Sequence, residues 1–334
     1  MAWRARAIAS VTYRMRPTAG GLKRMALRGA GSPRFRRTLA HAAARLDRAL
    51  ILVYHRVGND HSLGTELVPR VQASTLRTHL GVLRELGDIV PLAEMLDGPR
   101  HLERPRFALT FDDDYTSHAT DVVPALSSLG VHATFFLSGR GPLGLGPHWF
   151  ELLESAIDEE GLSALARRLS VTSATVEHLA AACERDSKRQ QLLRLTSTPR
   201  AQPLDASGIG SLSRAGMTIG FHTRDHLVLT DLDDASVLRA VTDGRSDLER
   251  IVGSPIELLA YPHGKADGRV ARLVGSAGYR AGFTGMPDPI RRGSDPYLLG
   301  RWEPGDVDDT DTFAGLVLRR LLQPAEIAWS VRLR

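Results

Sequence analysis

A chain of 334 residues with 43% hydrophobic content is long enough to bury a full core, as one large α/β domain or as two small ones. Its single cysteine, Cys183, excludes an intramolecular disulfide and a cysteine-based metal site. The net charge of +5 is uneven, because residues 1–50 carry twelve Lys or Arg and one acid, whereas the remaining residues sum to −6.

The basic leader, residues 1–48, has two interpretations. It is either a disordered extension or an amphipathic segment that lies on an anionic membrane surface. Its longest uncharged stretch, residues 7–13, is too short for the apolar region of a secretory signal, and no apolar run in the chain approaches the ~20 residues of a membrane span. We therefore expect a cytoplasmic protein, with peripheral contact at the inner membrane face as a hypothesis. No nucleic-acid partner is expected, since no aromatic-rich basic surface continues past the leader.

Strand and helix patterns alternate along most of the chain. Apolar or β-branched runs predict strands at residues 49–54, 89–91, 107–111, 133–137, 217–221, 257–261, 279–284 and 297–302. Amphipathic patterns predict helices at residues 75–86, 92–96, 115–129, 235–252, 267–277 and 310–328. This alternation favours a barrel-like or doubly wound parallel sheet.

Residues 141–205 interrupt the alternation. A loop rich in Gly and Pro is followed by charged helices without any strand pattern, which predicts a helical insertion packed over one face. Insertions of this kind often shape a substrate cleft, and an insertion that only covers a sheet edge is the equally weighted alternative.

Three carboxylates, Asp112, Asp113 and Asp114, follow the predicted strand 107–111 directly. Parallel α/β sheets place their chemistry at the carboxyl ends of the strands. Because adjacent carboxylates repel, such a cluster is typical of a site where a cation or a shared proton offsets the repulsion. The alternative is a helix cap before residues 115–129.

Two histidines, His222 and His226, follow the predicted strand 217–221. Their spacing presents both imidazoles on one side if the segment turns helically. An isolated His pair more often packs or caps, so the prediction depends on combining this pair with the carboxylates. Together they would supply two imidazoles and one carboxylate to a divalent metal, with open positions for water and substrate.

Five motifs in order give a specific resemblance. They are Val53-Tyr-His-Arg-Val57, Thr110-Phe-Asp-Asp113, Ala133-Thr-Phe-Phe136, His222-Thr-x-x-His226 and Tyr261-Pro-His-Gly264. The set resembles the polysaccharide deacetylase family of the NodB-homology type, carbohydrate esterase family 4, and is similar to its exopolysaccharide or poly-N-acetylglucosamine deacetylase branch. The resemblance implies an α/β fold, a deformed (β/α) barrel over residues 49–334 with the helical insertion at about 141–205.

The resemblance also implies a function and a set of metal ligands. The function is a metal-dependent hydrolase that removes N-acetyl groups from an amino sugar of a bacterial glycan or glycoconjugate precursor. Asp113, His222 and His226 would bind a divalent metal, for which zinc is expected, and Asp112 would act as general base. The metal would activate water for attack on the amide carbonyl.

The acid that protonates the leaving amine is less directly implied. Family members usually take it from a histidine in a C-terminal motif, and no histidine follows His263. In the branch that this chain resembles, an N-terminal strand supplies it, and His55 matches that position. His263 is the alternative acid, and a structural His55 bonded to a backbone carbonyl is the alternative role.

The remaining site residues follow from other positions in the motifs. Arg301 is assigned to orient Asp112, because the third motif lacks the arginine that many members use; a surface ion pair is the alternative. The residues assigned to substrate binding are Tyr115, Tyr261 and His263.

Asp114 departs from the family pattern, which has Gly after the Asp pair. If that position needs a positive φ, Asp is one of the few residues that tolerate it. Its charge could raise the pKa of Asp112 or compete for the metal. This departure keeps two alternatives open, which are a catalytically silent carbohydrate-binding domain of the same fold and a deacylase or deformylase of another acylated sugar.

Overall fold

The computed structural model describes residues 32–322, with the exception of 59–65, 98–102, 184–187, 189–190 and 193–201. Within this part of the chain, no helix is both long and apolar enough to cross a membrane. Most of the basic leader, residues 1–31, lies outside the described residues.

Strands and helices alternate along the described chain, as the sequence predicts. The strands are β1 (Arg48–Tyr54), β2 (Arg56–Val57), β3 (Arg70–Val71), β4 (Asp88–Ile89), β5 (Arg106–Asp112), β6 (Thr134–Leu137), β7 (Thr218–Phe221), β8 (Leu258–Ala260), β9 (Ala281–Phe283) and β10 (Ile290–Arg291). The α-helices are α1 (Pro33–Ala44), α2 (Ala73–Leu86), α3 (Leu92–Leu96), α4 (Val123–Ser127), α5 (Trp149–Glu160), α6 (Leu162–Arg168), α7 (Val176–Cys183), α8 (Ala206–Arg214), α9 (Asp234–Thr242), α10 (Arg245–Val252), α11 (Gly268–Ser276) and α12 (Thr310–Leu322).

The main sheet runs in the order β10-β1-β5-β6-β7-β8-β9, with β4 also paired to β5. Every pairing in it is parallel except that of β10 with β1. The predicted strand 297–302 forms isolated bridges instead of a continuous strand. Leu299 N–H donates to the Gly282 carbonyl at 3.0 Å, and Trp302 N–H donates to the Ile51 carbonyl at 2.8 Å. These bonds connect β9 to β1, so the sheet curls into the deformed barrel that the sequence predicted.

Strand β5 lies in the middle of this sheet, and all seven of its residues are buried. Its aromatic side chains pack on those of the neighbouring strands, with 5.0 Å between the ring centroids of Phe111 and Phe135 and 5.4 Å between those of Phe111 and Tyr54. This packing explains the uninterrupted apolar run, which is typical of a strand covered on both faces. The carboxylates that follow β5 are therefore attached to a fully buried strand.

Two predicted helices are interrupted in the structure. The helix predicted over residues 235–252 is divided into α9 and α10 at Gly244, which has a φ of +95° and approaches the Arg224 side chain so closely that a Cβ would lie 2.7 Å from Nε. The helix predicted over residues 115–129 has a π-helical turn, His118–Val122, before α4. Pro124 lies at the start of α4 and has no backbone N–H to donate to the preceding turn, so a regular α-helix does not continue across it. The helix predicted over residues 310–328 is described as far as Leu322.

Helix α1 shows that the folded body begins within the predicted leader. Its Ala40 and Ala43 are buried, and the helix packs against α12 and α2. Arg36 of α1 is buried and pairs with Asp311 of α12.

The insertion has a small apolar core of its own. Side chains of α5, α6 and α7, among them Leu153, Leu165 and Leu179, pack together with Tyr115 and Val68. The contact with Tyr115 fixes the insertion beside the end of β5, so it does more than cover a distant sheet edge.

His79 of α2 is buried against Phe313 of α12, with 3.7 Å between the ring centroids. Its Nε2 donates to the carbonyl of Val307 at 2.8 Å, so its Nδ1 accepts from the Tyr54 hydroxyl at 3.0 Å. Burial lowers the pKa of His79 to about 4. The ring is therefore held neutral at a junction of two helices and β1.

We expect His79→Gln to weaken the dependence of the free energy of unfolding on pH between about pH 6.5 and 4. The pKa of His79 is lower in the folded state than in the unfolded state, so between pH 6.5 and 4 only the unfolded state takes up a proton at this ring. The contribution of His79 to the free energy of unfolding is therefore fully present above pH 6.5 and is lost as the pH falls toward 4. Glutamine can keep both hydrogen bonds but does not titrate. The slope of the free energy of unfolding against pH should therefore be lower in His79→Gln than in the wild type, by as much as about 1.4 kcal/mol per pH unit. Urea unfolding across this range measures the difference, with the exposed His178→Gln as control. Equal slopes for wild type and His79→Gln would contradict the prediction.

Candidate metal centre and active site

The candidate site lies where β5 and β7 end at the same edge of the sheet. Asp112 is the last residue of β5, and Asp113 follows with a φ of +68°, which turns the chain away from the strand direction. His222 comes directly after β7. The segment to His226 is a loop and not the helical turn assumed in the sequence analysis, because Thr223 and His226 both have positive φ. This loop still brings both imidazoles to Asp113.

Three side chains have the geometry of a metal site. Asp113 Oδ1 lies 3.8 Å from His222 Nε2 and 3.8 Å from His226 Nε2, and the three atoms all lie within 4.8 Å of one another. An ion bound at about 2.0–2.2 Å to each ligand needs ligand atoms about 3–4 Å apart. The cluster therefore fits a divalent cation after small side-chain adjustments.

The protonation states also suit metal binding. His222 Nδ1 donates to the carbonyl of Ala260 at 2.9 Å, which leaves the lone pair on Nε2 directed to Asp113. Burial lowers the pKa of His222 to about 4 and, together with the neighbouring His263 and His222, lowers that of His226 well below its usual range. Both imidazoles are therefore neutral near pH 7, the form that binds metals.

Asp113 has one carboxylate oxygen, Oδ1, that is buried without a hydrogen-bond donor among the described residues. Burial raises the pKa of Asp113, His55 opposes the rise, and the carboxylates Asp112 and Asp114 add to it, so that the pKa is about 7. A cation between Asp113 and the two histidines would satisfy this oxygen and favour the ionised carboxylate.

Asp112 has the opposite environment from its neighbour. Arg301 donates to both of its oxygens, from Nη1 to Oδ1 at 2.6 Å and from Nη2 to Oδ2 at 2.7 Å. Burial alone would raise the pKa of Asp112, but the charge of Arg301 outweighs it and lowers the pKa to about 2. Arg301 is itself held by Thr110 Oγ1 and the Thr284 carbonyl, both at 3.3 Å. It is a buried partner of Asp112 and not a surface ion pair.

His55 lies at the end of β1 and is partly exposed. Its Nδ1 forms a hydrogen bond with Glu303 Oε1 at 3.0 Å, and not with a backbone carbonyl. Burial lowers the pKa of His55, but the hydrogen bond and charge of Glu303 and the charges of Asp112 and Asp113 raise it to about 9. His55 is therefore protonated near pH 7.

Asp114 takes no part in the metal cluster. Its carboxylate accepts from Ser138 N–H at 2.7 Å, from Ser138 Oγ and from Arg140 N–H at 3.2 Å. The residue with a positive φ is Asp113 and not Asp114, so the position of Asp114 does not need a residue that tolerates a positive φ. The expectation that Asp114 raises the pKa of Asp112 is wrong, because Arg301 dominates that carboxylate.

The three predicted substrate-binding residues are not all at the site. The ring of His263 lies beside that of His226, with 4.6 Å between centroids. Tyr115 lines the adjacent cavity. Tyr261 is fully buried in the barrel wall and its hydroxyl donates to the Tyr297 carbonyl at 2.8 Å, so the structure does not bring it to the site.

A small pocket opens beside Asp113 and is shaped by the insertion. Its lining residues are Asp113, Asp114, Tyr115, Pro147, His148, Phe150, Glu151, Gln202 and Pro203. Glu151 and Glu303 are not among the site residues predicted from the sequence. Glu303 could have been found as an acid just after the segment that closes the sheet, whereas an acid in an amphipathic helix, like Glu151, gives no such signal.

Comparisons with known proteins agree with this geometry. Residues 100–282, more than half of the chain, match the family model for polysaccharide deacetylase. This chain belongs to the polysaccharide deacetylase family. The family consists of hydrolases that act on the amide bonds of acetylated sugars.

One curated protein and two solved structures can be aligned with most of this chain. YxkH from Bacillus subtilis is 22% identical over 255 residues, which are 75% of this chain and 69% of YxkH. The deacetylase PplD from Streptococcus pyogenes, solved in complex with acetate, has a TM-score of 0.58 at 15% identity and covers 83% of this chain and 99% of PplD. IcaB from Ammonifex degensii has a TM-score of 0.56 at 19% identity and covers 82% of this chain and 97% of IcaB. These two structures support the fold.

We expect Arg301→Gln to impair hydrolysis and to move its acid limb to higher pH. Without the guanidinium, the pKa of Asp112 rises from about 2, so a smaller fraction of the carboxylate is ionised at acidic pH. We expect a loss of about 100-fold to several thousand-fold in kcat/KM at neutral pH, since leaving a buried charge unpaired costs about 3–5 kcal/mol. A pH–rate profile measures both effects, and the matched control is Arg280→Gln, whose ion pair with Asp97 is exposed. An unchanged acid limb in Arg301→Gln would contradict the prediction.

Proposed function

We propose that this protein is a metal-dependent hydrolase that removes N-acetyl groups from an amino sugar of a bacterial glycan or glycoconjugate precursor. The observation that carries the proposal is the cluster of Asp113, His222 and His226 next to an ionised Asp112 at one sheet edge. Membership of the polysaccharide deacetylase family supports the reaction class.

Each side chain of the site has a role that its environment suits. A divalent cation, for which we propose zinc, would polarise the amide carbonyl and activate water when held by Asp113, His222 and His226. Asp112 is ionised and accepts a proton from the attacking water, while Arg301 fixes its orientation. His55, protonated and held by Glu303, donates a proton to the leaving amine.

The two carboxylates that follow one another in the chain thus have separate tasks. Asp112 has a positively charged partner in the protein and remains available for proton transfer. Asp113 Oδ1 has no hydrogen-bond donor among the described residues, so Asp113 is the carboxylate left for the cation. This division supports the assignment of the base and the ligand.

We expect chelator-treated protein to release no acetate from N-acetylglucosamine oligomers and to recover activity when zinc is added. Asp112→Asn should remain inactive with zinc, because the amide cannot accept the proton, while binding the metal as well as the wild type does. Acetate assay and metal titration are measured on the same preparations. Release of formate or another acid from other acylated sugars, without acetate, would point to a different acyl group. Sugar binding without release of any acid would contradict the proposal and indicate a silent carbohydrate-binding domain.

We also propose a peripheral contact between the leader, residues 1–48, and an anionic membrane surface at the cytoplasmic face. The support is its charge, since residues 1–50 have a balance of +11. We expect the full chain to sediment with phosphatidylglycerol vesicles at low salt and to dissociate at high salt. Vesicles of phosphatidylcholine alone are the control. Failure to sediment with anionic vesicles at low salt would contradict this part.

A further inference from the structure

His118 is a fully buried histidine that the proposed chemistry does not use. Its Nε2 donates to the backbone carbonyl of His55, the proposed acid, at 2.9 Å. Burial lowers the pKa of His118 to about 4, so the ring is neutral near pH 7 and adds no positive charge beside His55. The contact is thus a hydrogen bond from a neutral ring to the backbone of the proposed acid.

His55 lies where the chain passes from one sheet to the other. It follows β1, which pairs with β5 in the main sheet, and precedes β2, which pairs with β3 in a separate two-stranded sheet. The neighbours on both sides have side-chain partners, since the Tyr54 hydroxyl bonds to His79 and Arg56 pairs with Glu151. The direction of the backbone at this junction decides where the imidazole of His55 points.

Two hydrogen bonds hold His55 itself. Glu303 Oε1 bonds to its Nδ1 at 3.0 Å, and the His118 ring donates to its carbonyl. Glu303 is partly exposed, whereas His118 is fully buried, so water competes for the first bond and not for the second. The buried bond to the carbonyl is therefore the more constant of the two.

Aromatic side chains fix the ring of His118 in turn. Its centroid lies 5.7 Å from that of Phe111, 5.7 Å from that of Tyr115 and 5.3 Å from that of Phe135. His118 also begins the π-helical turn His118–Val122, and turns of this kind are rare and frequent at functional sites. Packing thus sets the direction in which Nε2 donates.

The other ring nitrogen of His118 argues against a role in stability alone. Nδ1 is buried and has no hydrogen-bond partner among the described residues. In a neutral ring that donates from Nε2, this nitrogen is an acceptor, and leaving it unsatisfied in the interior reduces stability. The gain from one bond to a carbonyl is therefore offset, and what the ring contributes is the placement of His55.

We propose that His118 is a positioning residue that holds the backbone of His55 so that its imidazole reaches the leaving amine. The proposal rests on the proposed deacetylase function, in which His55 is the acid. When the bond between the acetyl carbon and the nitrogen breaks, its electron pair stays on the nitrogen and takes a proton from His55, which becomes neutral. His118 acts on this step only through His55.

The test compares two substrates that differ in their need for an acid. The amine of an N-acetylglucosamine oligomer must be protonated to leave, whereas nitrophenolate leaves p-nitrophenyl acetate without a proton. For zinc-loaded His118→Leu we expect kcat on the oligomer to fall about 10-fold or more at a nearly unchanged KM, since a misplacement of about 1 Å can cost about 100-fold. Hydrolysis of the ester should stay within about two-fold of the wild type.

Three further variants separate the hydrogen bond from the packing. His118→Gln should keep the ratio of oligomer to ester rates close to that of the wild type, because the glutamine Nε2 can donate from nearly the same place. His118→Asn, whose amide is too short to reach the carbonyl, should show the loss expected for leucine. Tyr279→Phe is the matched control, because it removes a buried hydrogen bond to another backbone carbonyl, that of Val241, and should keep the wild-type ratio.

Because both rates are measured on one preparation, their ratio does not depend on the fraction of protein that is folded. Equal ratios in the wild type, His118→Leu and His118→Asn would overturn the proposal and leave the deacetylase function in place. Equal losses in His118→Leu and His118→Gln would also overturn it, since the donor would then have no effect. A wild type that releases no acetate from the oligomers would overturn the proposed function, and this proposal with it.

Discussion

Arg301 carries a positive charge into the interior at the point where the sheet closes, and Asp112 is the carboxylate that offsets it. The arginine comes from the segment that bridges β9 and β1, and it also donates to Thr284 after β9 and to Thr110 in β5. Neither charge could remain buried without the other. The ionised state of the proposed base therefore depends on an arginine supplied by the segment that closes the sheet.

The same edge of the sheet shows how environment separates neighbouring carboxylates. Asp112 and Asp113 are adjacent in sequence, yet one has a pKa of about 2 and the other of about 7. The difference arises because Arg301 donates to both oxygens of Asp112, whereas burial and the neighbouring carboxylates raise the pKa of Asp113 more than the charge of His55 lowers it. Asp114 differs from both, because its carboxylate accepts hydrogen bonds from Ser138 and from the backbone N–H of Arg140. Three consecutive aspartates can therefore be buried together, because the side chain of each has a different environment.

The helical insertion extends the site beyond the barrel. The barrel supplies the ligands and Asp112 from strand ends, whereas α5 supplies a wall of the cavity through His148, Phe150 and Glu151. The insertion is held to this position by buried contacts to Arg56 and Tyr115. The candidate metal cluster and this wall of the cavity thus come from different parts of the chain.

The sequence by itself determined the order of strands and helices, because buried parallel strands are continuous apolar runs whose carboxyl ends are where polar motifs meet. The deformed barrel and the residues of the candidate metal cluster were implied by the family resemblance that the five motifs carry. Local pattern could not show that Gly244 divides a helix or that Tyr261 points into the barrel wall.

Tertiary structure alone decided which groups act as partners. The pairing of Glu303 with His55 and of Arg56 with Glu151 joins residues far apart in the chain, and neither pairing was predicted. These pairings set the charge of each site residue. They depend on the distance between atoms after folding, which the spacing of residues along the chain does not encode.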